Sequence, residues 1–369
     1  MQLNYLCIVC KNYIKKKFKT QDKFITSDIN FIKNKLEILL CYKCFCLQKK
    51  INTKYIKNIN KIYNNYLGFS KFNNNDQKKN FINNKPNSRC EIIFNKILKK
   101  KIKQNKKLLD FGSSNGAMLE PLIEKNIELF ATDIKNIINK RISKSKNFAE
   151  FVNLKKIHRF NKKFNFITMI HVLEHLTEPV NTLKLLKNLL TKNGMIIMQI
   201  PNYQKNFYDL NVYDHVTHWN ERSISELAYQ SGLKIDQIKK NVIPCEYTII
   251  LKMNIKKKEI YKKYNIKNIK MNILKSYNEA GLILKKLKKY KSFSILGSSI
   301  AATWIINIFK KKIKNIYDQD QNKIGLLHCN KIIKKLDDNE SLNLFLPFPK
   351  ERLSFVKPQL LKYKYKLIY

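Results

Sequence analysis

The stretch Leu108–Leu119, LLDFGSSNGAML, joins an apolar run to a turn of small residues. Asp110 is its one charged residue, in a chain that is rich in lysine. An apolar run that ends in glycine is typical of a buried strand followed by a tight turn, where the backbone can approach a ligand closely. In open α/β sheets, ligands bind beyond the carboxyl ends of the strands. The stretch therefore predicts a binding site made of backbone groups and one carboxylate.

Further apolar runs follow at regular intervals and alternate with helix-like segments. A parallel, doubly wound α/β sheet is the architecture that this alternation predicts. The strand after the turn ends in Asp133, whose carboxylate is placed to accept both hydroxyls of a ribose. The strand-like runs are IELFATD (127–133), FNFITMIHVLEH (164–175) and MIIMQIPN (195–202), and the helix-like runs are MLEPLIEKN (118–126) and VNTLKLLKNLLTKNG (180–194).

Three units are predicted along the chain: a cysteine-bearing segment over 1–65, a central α/β domain over 66–240, and a C-terminal α/β domain over 241–369. An Asn-rich stretch over 71–89 has the composition of a linker. The C-terminal unit repeats the order strand, turn, helix and strand in SFSILGSSIAATWIINIFKK, followed by IKNIYDQD. Its Asp318, at a strand end, either holds a nucleotide part of a ligand or belongs to a structural lid.

The formal net charge of +46 comes from 73 basic and 27 acidic residues. Such an excess is compatible with nucleic-acid binding. However, the lysines are spread along the chain and arginine is scarce, which is typical of an AT-rich coding sequence, so we expect no nucleic-acid partner. The N-terminal MQLNYLCIVCK lacks a basic region before its apolar run, and the uncharged stretch 292–309 is interpreted as a buried strand, turn and helix. We therefore expect a cytoplasmic protein without a membrane partner.

Four of the eight cysteines form two C-x-x-C pairs, CIVC and CYKC. Four thiolates complete a tetrahedral zinc site without an open position, which is a structural type of site. Zinc would also supply folding energy to a segment too short for a large core. A redox pair and chance clustering are the alternatives, and Cys46 is an alternative ligand that breaks the spacing. The predicted ligands of a structural Zn²⁺ are Cys7, Cys10, Cys41 and Cys44.

The order of these motifs resembles the class I S-adenosylmethionine-dependent methyltransferases. LLDFGSSNG stands for the Gly-rich loop, ATD for the ribose-binding acid and FNFITMIHVLEHL for a later strand and turn. The missing G-x-G-x-x-G argues against the alternative, a dinucleotide-binding fold. The family more often has Gly at Ser113 or Ser114, and Asp at Asn165. The resemblance implies S-adenosylmethionine as cofactor, bound by Asp110, Gly112, Ser113, Ser114, Gly116, Asp133, Ile134 and His171.

A second polar constellation, NVYDHVTHWN over 211–220, follows the strand MIIMQIPN. Tyr213, Asp214 and His215 are consecutive groups that can transfer or orient a proton, and His175 ends the HVLEH motif. The alternative is a loop of ordinary hydrogen-bonding side chains.

The whole layout resembles a narrower family, the zinc-containing C-methyltransferases of nucleotide-linked keto-sugars. That resemblance implies a Rossmann-like C-terminal domain and an enolate mechanism. His215 or Tyr213 would be the base, Asp214 would belong to the same catalytic group, and His175 would stabilise the enolate oxygen. Tyr213 stands where this family has a His, and the Pro-Gly motif expected near 325–332 is missing. The alternatives are an O- or N-methyltransferase acting on another small molecule, an RNA-binding or RNA-modifying protein, and a binding module that has lost catalysis.

Overall fold

The computed structural model describes residues 5–19, 22–64, 80–82, 85–102, 105–254, 265–337 and 342–369. Most of the predicted linker at 71–89 lies outside these residues. No helix among them is long and apolar enough to cross a membrane.

The N-terminal segment consists of short antiparallel strands followed by one helix. Its strand β7 pairs with β6 on one edge and, on the other, with a two-residue strand of the central domain. The segment and the central domain therefore share one four-stranded sheet. The elements are β1 Tyr5–Leu6, β2 Tyr13–Ile14, β3 Lys16–Lys19, β4 Lys23–Ile25, β5 Phe31–Lys33, β6 Glu37–Leu40, β7 Leu47–Lys49 and α1 Thr53–Asn64.

The central domain is a seven-stranded sheet in the order β12-β11-β10-β13-β14-β17-β16. Its first five strands are parallel, and β17 and β16 pair antiparallel. The strands are β8 Asn80–Ile82, β9 Lys85–Asn87, β10 Lys106–Phe111, β11 Ile127–Asp133, β12 Phe148–Asn153, β13 Phe164–Ile170, β14 Leu190–Pro201, β15 Thr217–His218, β16 Leu233–Lys239 and β17 Glu246–Met253, and the helices are α2 Arg89–Ile93, α3 Lys140–Ser143, α4 Pro179–Asn188 and α5 Glu221–Gln230.

Both faces of this sheet are covered, which explains its continuous apolar runs. Successive side chains of a strand point to opposite faces, and the neighbours Leu108 and Leu109 accordingly pack into different core clusters. The predicted doubly wound α/β fold is confirmed. Three details differ from the prediction. The predicted helix over 180–194 ends at Asn188, and the strand β14 already begins at Leu190. The sheet includes β17, so it extends beyond the predicted domain boundary at residue 240. The predicted helix over 118–126 is a 3₁₀ turn at Glu120–Leu122, with a proline in its first turn.

The C-terminal domain is a smaller sheet in the order β20-β21-β19-β18-β22-β23, parallel apart from the β20–β21 pair. This is the predicted second α/β unit. Its Asp318 accepts hydrogen bonds from the backbone and hydroxyl of Ser298, and Lys323 lies beside it. The elements are α6 Ile266–Lys288, β18 Phe293–Leu296, α7 Ile300–Ile308, β19 Ile313–Tyr317, β20 Leu327–His328, β21 Lys331–Lys334, β22 Asn343–Phe345, α8 Lys350–Leu360 and β23 Lys366–Ile368.

Candidate active site

The four predicted zinc ligands meet in one buried cluster. Cys7 Sγ lies 3.5 Å from Cys44 Sγ, and Cys10 Sγ lies 3.5 Å from Cys41 Sγ. All four thiols are free, and their sulfur atoms lie within 4.8 Å of one another. Thiolates bound to one zinc ion at about 2.3 Å would lie at similar distances from each other. The donors present therefore fit a closed tetrahedral zinc site.

A cavity of about 690 Å³ opens at the carboxyl ends of the central strands. All three parts of the chain line it. The N-terminal segment contributes Tyr63 of α1, the central domain contributes the Gly-rich turn, and the C-terminal domain contributes the start of α7 and Arg352 of α8. Its volume lies within the range of small-molecule and cofactor sites.

The turn after β10 is shaped by glycine. Gly112 has φ +74°, and an added Cβ would lie 2.4 Å from Val172 Cγ2. Gly116 has φ +86°, and a Cβ there would meet Ile142 Cδ1 at 2.7 Å. Between them, Ser113 is buried and its hydroxyl has no hydrogen-bond partner among the described residues. These residues line the cavity or support its wall, so the turn offers backbone and one unsatisfied hydroxyl to a ligand.

Two carboxylates flank this turn. Asp110 is buried and accepts a hydrogen bond from the Thr168 hydroxyl at 2.7 Å, and its burial raises its pKa to about 7. Asp133 accepts from the backbone N–H of Ser114 at 2.7 Å and of Ile134 at 2.6 Å. Each carboxylate oxygen keeps a second lone pair that a ribose hydroxyl can use. Ile134 is exposed at the mouth of the same cavity.

His171 lies at the end of β13 within a chain of alternating charges. Its Nδ1 is 3.1 Å from Glu174 and its Nε2 is 3.1 Å from Glu246. Glu246 also accepts from Arg89. Burial and Arg89 disfavour the imidazolium, but the two carboxylates outweigh them and raise the pKa of His171 to about 9. His171 therefore carries a proton at neutral pH and lines the predicted cofactor pocket as a cation balanced by two acids.

His175 and His215 line the cavity together, with ring centroids 4.7 Å apart. Asp209 bridges two imidazoles, lying 2.6 Å from His215 Nδ1 and 2.6 Å from His218 Nδ1. Burial disfavours the charge on His215, but Asp209 raises its pKa, whereas burial and the charge of His215 lower the pKa of His175. Two neighbouring imidazoles thus have opposite pKa shifts: a carboxylate oxygen lies at Nδ1 of His215, whereas a backbone carbonyl lies at Nδ1 of His175.

Two of the predicted catalytic residues do not reach the cavity. Tyr213 is fully buried, and its hydroxyl accepts from the side-chain amides of Asn34 and Asn58 at 2.9 and 2.8 Å. The Asp214 carboxylate is also fully buried and accepts from the backbone N–H and the hydroxyl of Ser27. Neither residue lines the cavity. Of the four predicted catalytic residues, His175 and His215 therefore line the cavity, whereas Tyr213 and Asp214 are held away from it by contacts with the N-terminal segment.

The N-terminal segment supports the loop that carries these residues. Lys49 of β7 is fully buried, and its ammonium donates to the carbonyls of Val212 and Tyr213. Burial lowers the pKa of Lys49 to about 7, although Asp214 and Asp209 oppose this shift. The next residues of the loop, in β15, pair with β7 directly. The hairpin that carries Cys41 and Cys44 is thus continuous with the histidine loop.

Sequence reasoning missed several residues that complete the site. Asp209, which holds His215, lies six positions before it in a 3₁₀ turn at Phe207–Asn211 that no local pattern marks. Tyr63 reaches the site from α1, where its hydroxyl lies 2.8 Å from His175 Nδ1. Arg89, Glu246 and Arg352 come from distant parts of the chain.

Residues 83–238 match a family model described as a methyltransferase domain. These residues form a methyltransferase domain. The match contains the Gly-rich turn, Asp133, His175 and His215, so the predicted enzyme class is confirmed. Its fold is one that binds S-adenosylmethionine, and the cavity residues described above fit that cofactor.

Several solved structures resemble the methyltransferase domain at low identity. An S-adenosylmethionine-dependent methyltransferase from Clostridium acetobutylicum is 14% identical in sequence. The alignment covers 44% of this chain and 90% of the methyltransferase, with a TM-score of 0.38. The PH0226 protein from Pyrococcus horikoshii is 18% identical, with coverages of 43% and 87% and a TM-score of 0.37. No curated protein matches the chain at a significant level.

The raised pKa of Asp110 predicts a pH-dependent cofactor affinity for this domain. The carboxyl is neutral below its pKa of about 7 and charged above it, and a cationic sulfonium cofactor binds better beside the charged form. We expect the affinity for S-adenosylmethionine to rise about tenfold between about pH 6 and pH 8. Isothermal titration across this range measures it. In Asp110→Asn the affinity should be weaker, and the increase with pH should vanish. An unchanged increase in that variant would show that another group causes the pH dependence.

Proposed function

We propose that this protein transfers a methyl group from S-adenosylmethionine to a carbon beside a ketone of a nucleotide-linked sugar. The observation that carries the proposal is the Asp209–His215 pair, which lies with His175 in the same cavity as the Gly-rich turn. An oxygen or nitrogen acceptor already has a lone pair, whereas a carbon acceptor must first lose a proton. A buried imidazole oriented by a carboxylate supplies the base that this step needs.

The residues have separate roles in this proposal. His215 Nδ1–H donates to Asp209, which leaves Nε2 to remove the proton from the carbon beside the ketone. The electron pair moves to the ketone oxygen. His175 stabilises the resulting enolate oxygen by a hydrogen bond from Nε2–H, in the tautomer whose Nδ1 accepts from the Tyr63 hydroxyl at 2.8 Å. S-adenosylmethionine supplies the electrophilic methyl group, to which the carbon forms its new bond while the bond from methyl to sulfur breaks. Asp110, Asp133 and the Gly-rich turn position the donor, and proximity contributes much of the acceleration.

A second observation supports an acceptor that carries phosphate. Arg352 of α8 lines the cavity, and in the described parts of the chain its guanidinium makes no salt bridge. Burial lowers its pKa from the usual range, although it remains a cation. Ser299 and Ile300, at the start of α7, line the same side, and the first turn of α7 has no acidic residue. A guanidinium and a helix N-terminus together favour an anion such as a diphosphate.

The acceptor class can be tested with a panel of nucleoside-diphosphate-linked keto-hexoses and methyl-labelled S-adenosylmethionine, with NMR to locate the methyl group. A product with a new carbon–carbon bond beside the ketone is expected. A methyl group found only on oxygen or nitrogen would overturn the carbon assignment in favour of the alternative chemistry.

Arg352 offers a sharper test of the phosphate contact. Replacing it in Arg352→Met removes a charge-assisted contact of about 1.5–3 kcal/mol, so KM for the nucleotide-linked acceptor should rise about 10- to 100-fold. Binding of S-adenosylhomocysteine should be unchanged. Lys350→Met, which removes an exposed cation from the same helix, is the matched control. Equal KM values for both variants would show that Arg352 does not contact the acceptor.

A further inference from the structure

Three side chains with metal-binding atoms converge at the wall of the cavity. Glu174, His175 and His215 each offer one such atom, and these atoms lie within 4.8 Å of one another. The two histidines line the cavity, and Glu174 lies behind them with an exposure of 1%. Two imidazoles and one carboxylate are a common ligand set for transition metals in proteins.

The second nitrogen of each histidine is already held. His215 Nδ1 lies 2.6 Å from Asp209, and His175 Nδ1 lies 3.0 Å from the carbonyl oxygen of Asp214. The Nε2 atoms are therefore the ones left for a ligand. Imidazoles that bind metals in proteins characteristically donate their other N–H to a carboxylate or a backbone carbonyl, which fixes the ring. This outer arrangement is complete around both rings.

The Glu174 carboxylate has one charged partner at contact distance among the described residues, His171. Its Oε1 lies 3.1 Å from His171 Nδ1, but neither oxygen accepts a well-aligned hydrogen bond from the described residues. A buried carboxylate without such bonds is costly to keep. A bound cation would satisfy it.

A neighbouring set of possible metal ligands, Asp209 with His215 and His218, has no room for an ion between its atoms. Its contacts of 2.6 Å are direct hydrogen bonds. Atoms that bind one zinc ion at about 2.0–2.1 Å from it lie about 3 Å or more apart, so an ion does not fit between these groups. No hydrogen bond or ion pair joins Glu174, His175 and His215 to one another in the described parts of the chain, and their metal-binding atoms lie within 4.8 Å.

We propose that Glu174, His175 and His215 form a second metal site, which takes a divalent transition metal ion such as Zn²⁺. Three protein ligands leave a coordination position open toward the cavity. An ion on His215 Nε2 occupies the lone pair that the proposed function assigns to the base, so metal binding should inhibit methyl transfer. The inhibition rests on the proposed function, but the metal site does not.

The test is a titration of zinc-loaded protein with cobalt chloride, with total metal measured on the same samples. Cobalt bound by nitrogen and oxygen gives weak visible bands, and these differ from the strong charge-transfer bands of cobalt on thiolates. We expect two metal ions per chain in the wild type, one in Glu174→Gln and two in Glu178→Gln. Glu178 is an exposed carboxylate of the same loop and serves as the control. A thiolate-bound ion retained in Glu174→Gln shows that this variant is folded.

Each outcome has a distinct meaning. One metal ion per chain in the wild type, or a second ion that persists in Glu174→Gln, would overturn the site. Transfer assays then test the consequence: added Zn²⁺ should inhibit the wild type at concentrations that fill the second site, and removal of the loosely bound ion by a weak chelator should restore activity. A filled second site with full activity would overturn the inhibition. If the protein binds the second ion but methylates none of the acceptors, the proposed function is wrong and the metal site still stands.

Discussion

The variant His215→Gln should lose nearly all exchange of the hydrogen beside the acceptor ketone. His215 is the imidazole that both lines the cavity and is oriented by a buried carboxylate, Asp209. A placed base contributes about 100- to 10,000-fold to such a step, so we expect a loss of that size in exchange and in methyl transfer. Proton NMR in deuterium oxide, with S-adenosylhomocysteine bound, measures the exchange without the transfer step.

A matched pair of variants separates the base from its support. Asp209 raises the pKa of His215, so Asp209→Asn should lower that pKa. Since the base works in its neutral form, the acidic limb of the rate profile should move to lower pH while the maximal rate falls. His158→Gln, at an exposed histidine outside the cavity, is the control. Exchange that persists undiminished in His215→Gln would remove His215 as the base.

Loss of the cysteine cluster should disorder the histidine loop at the cavity, although the loop belongs to the central domain. The hairpin that holds Cys41 and Cys44 leads into β7, which pairs with β15 and positions Lys49 under the histidine loop. Structural zinc contributes about 10–16 kcal/mol to folding in small zinc peptides. We expect Cys41→Ser to lose bound zinc, to melt at a lower temperature and to lose at least about 100-fold in activity.

Hydrogen exchange locates this effect. Amides of β7 and of residues 212–218 should lose protection together in Cys41→Ser, while the strands β10, β11 and β13 keep theirs. Cys46→Ser is the control, because Cys46 is buried beside the cluster but is not one of the four converging thiols. Zinc retained in Cys41→Ser, or lost in Cys46→Ser, would contradict the assigned ligand set. Full activity in zinc-free protein would contradict the coupling to the histidine loop.

Much of the fold follows from local sequence patterns. The apolar run before Gly112 and the acid after ATD mark two strand ends, and parallel strands bring their carboxyl ends to one edge. The predicted cofactor residues Asp110, Asp133 and His171 accordingly lie at or just after the ends of β10, β11 and β13. The paired C-x-x-C spacing likewise predicted the four converging cysteines.

The histidine side of the cavity was less predictable, because it depends on contacts between distant segments. Tyr213 and His215 look equivalent in the sequence. Their tertiary contacts separate them: Asn34 and Asn58 hold the Tyr213 hydroxyl, and Asp209 holds His215. Asp209 and Arg352 meet the site through tertiary packing, and no spacing rule connects them to it. The antiparallel strand β17 also escaped prediction, because its apolar run resembles the start of a new domain.

Titration of the purified, zinc-loaded protein with S-adenosylhomocysteine tests the central claim most directly. The site assignment predicts one ligand per chain with micromolar affinity. It also predicts a large loss of affinity in Gly112→Ala, where a Cβ would lie 2.4 Å from Val172 at φ +74°, and no loss in Gly281→Ala, where nothing lies within 4 Å. No binding by the folded wild type, or equal binding by both variants, would contradict a cofactor site at the Gly-rich turn.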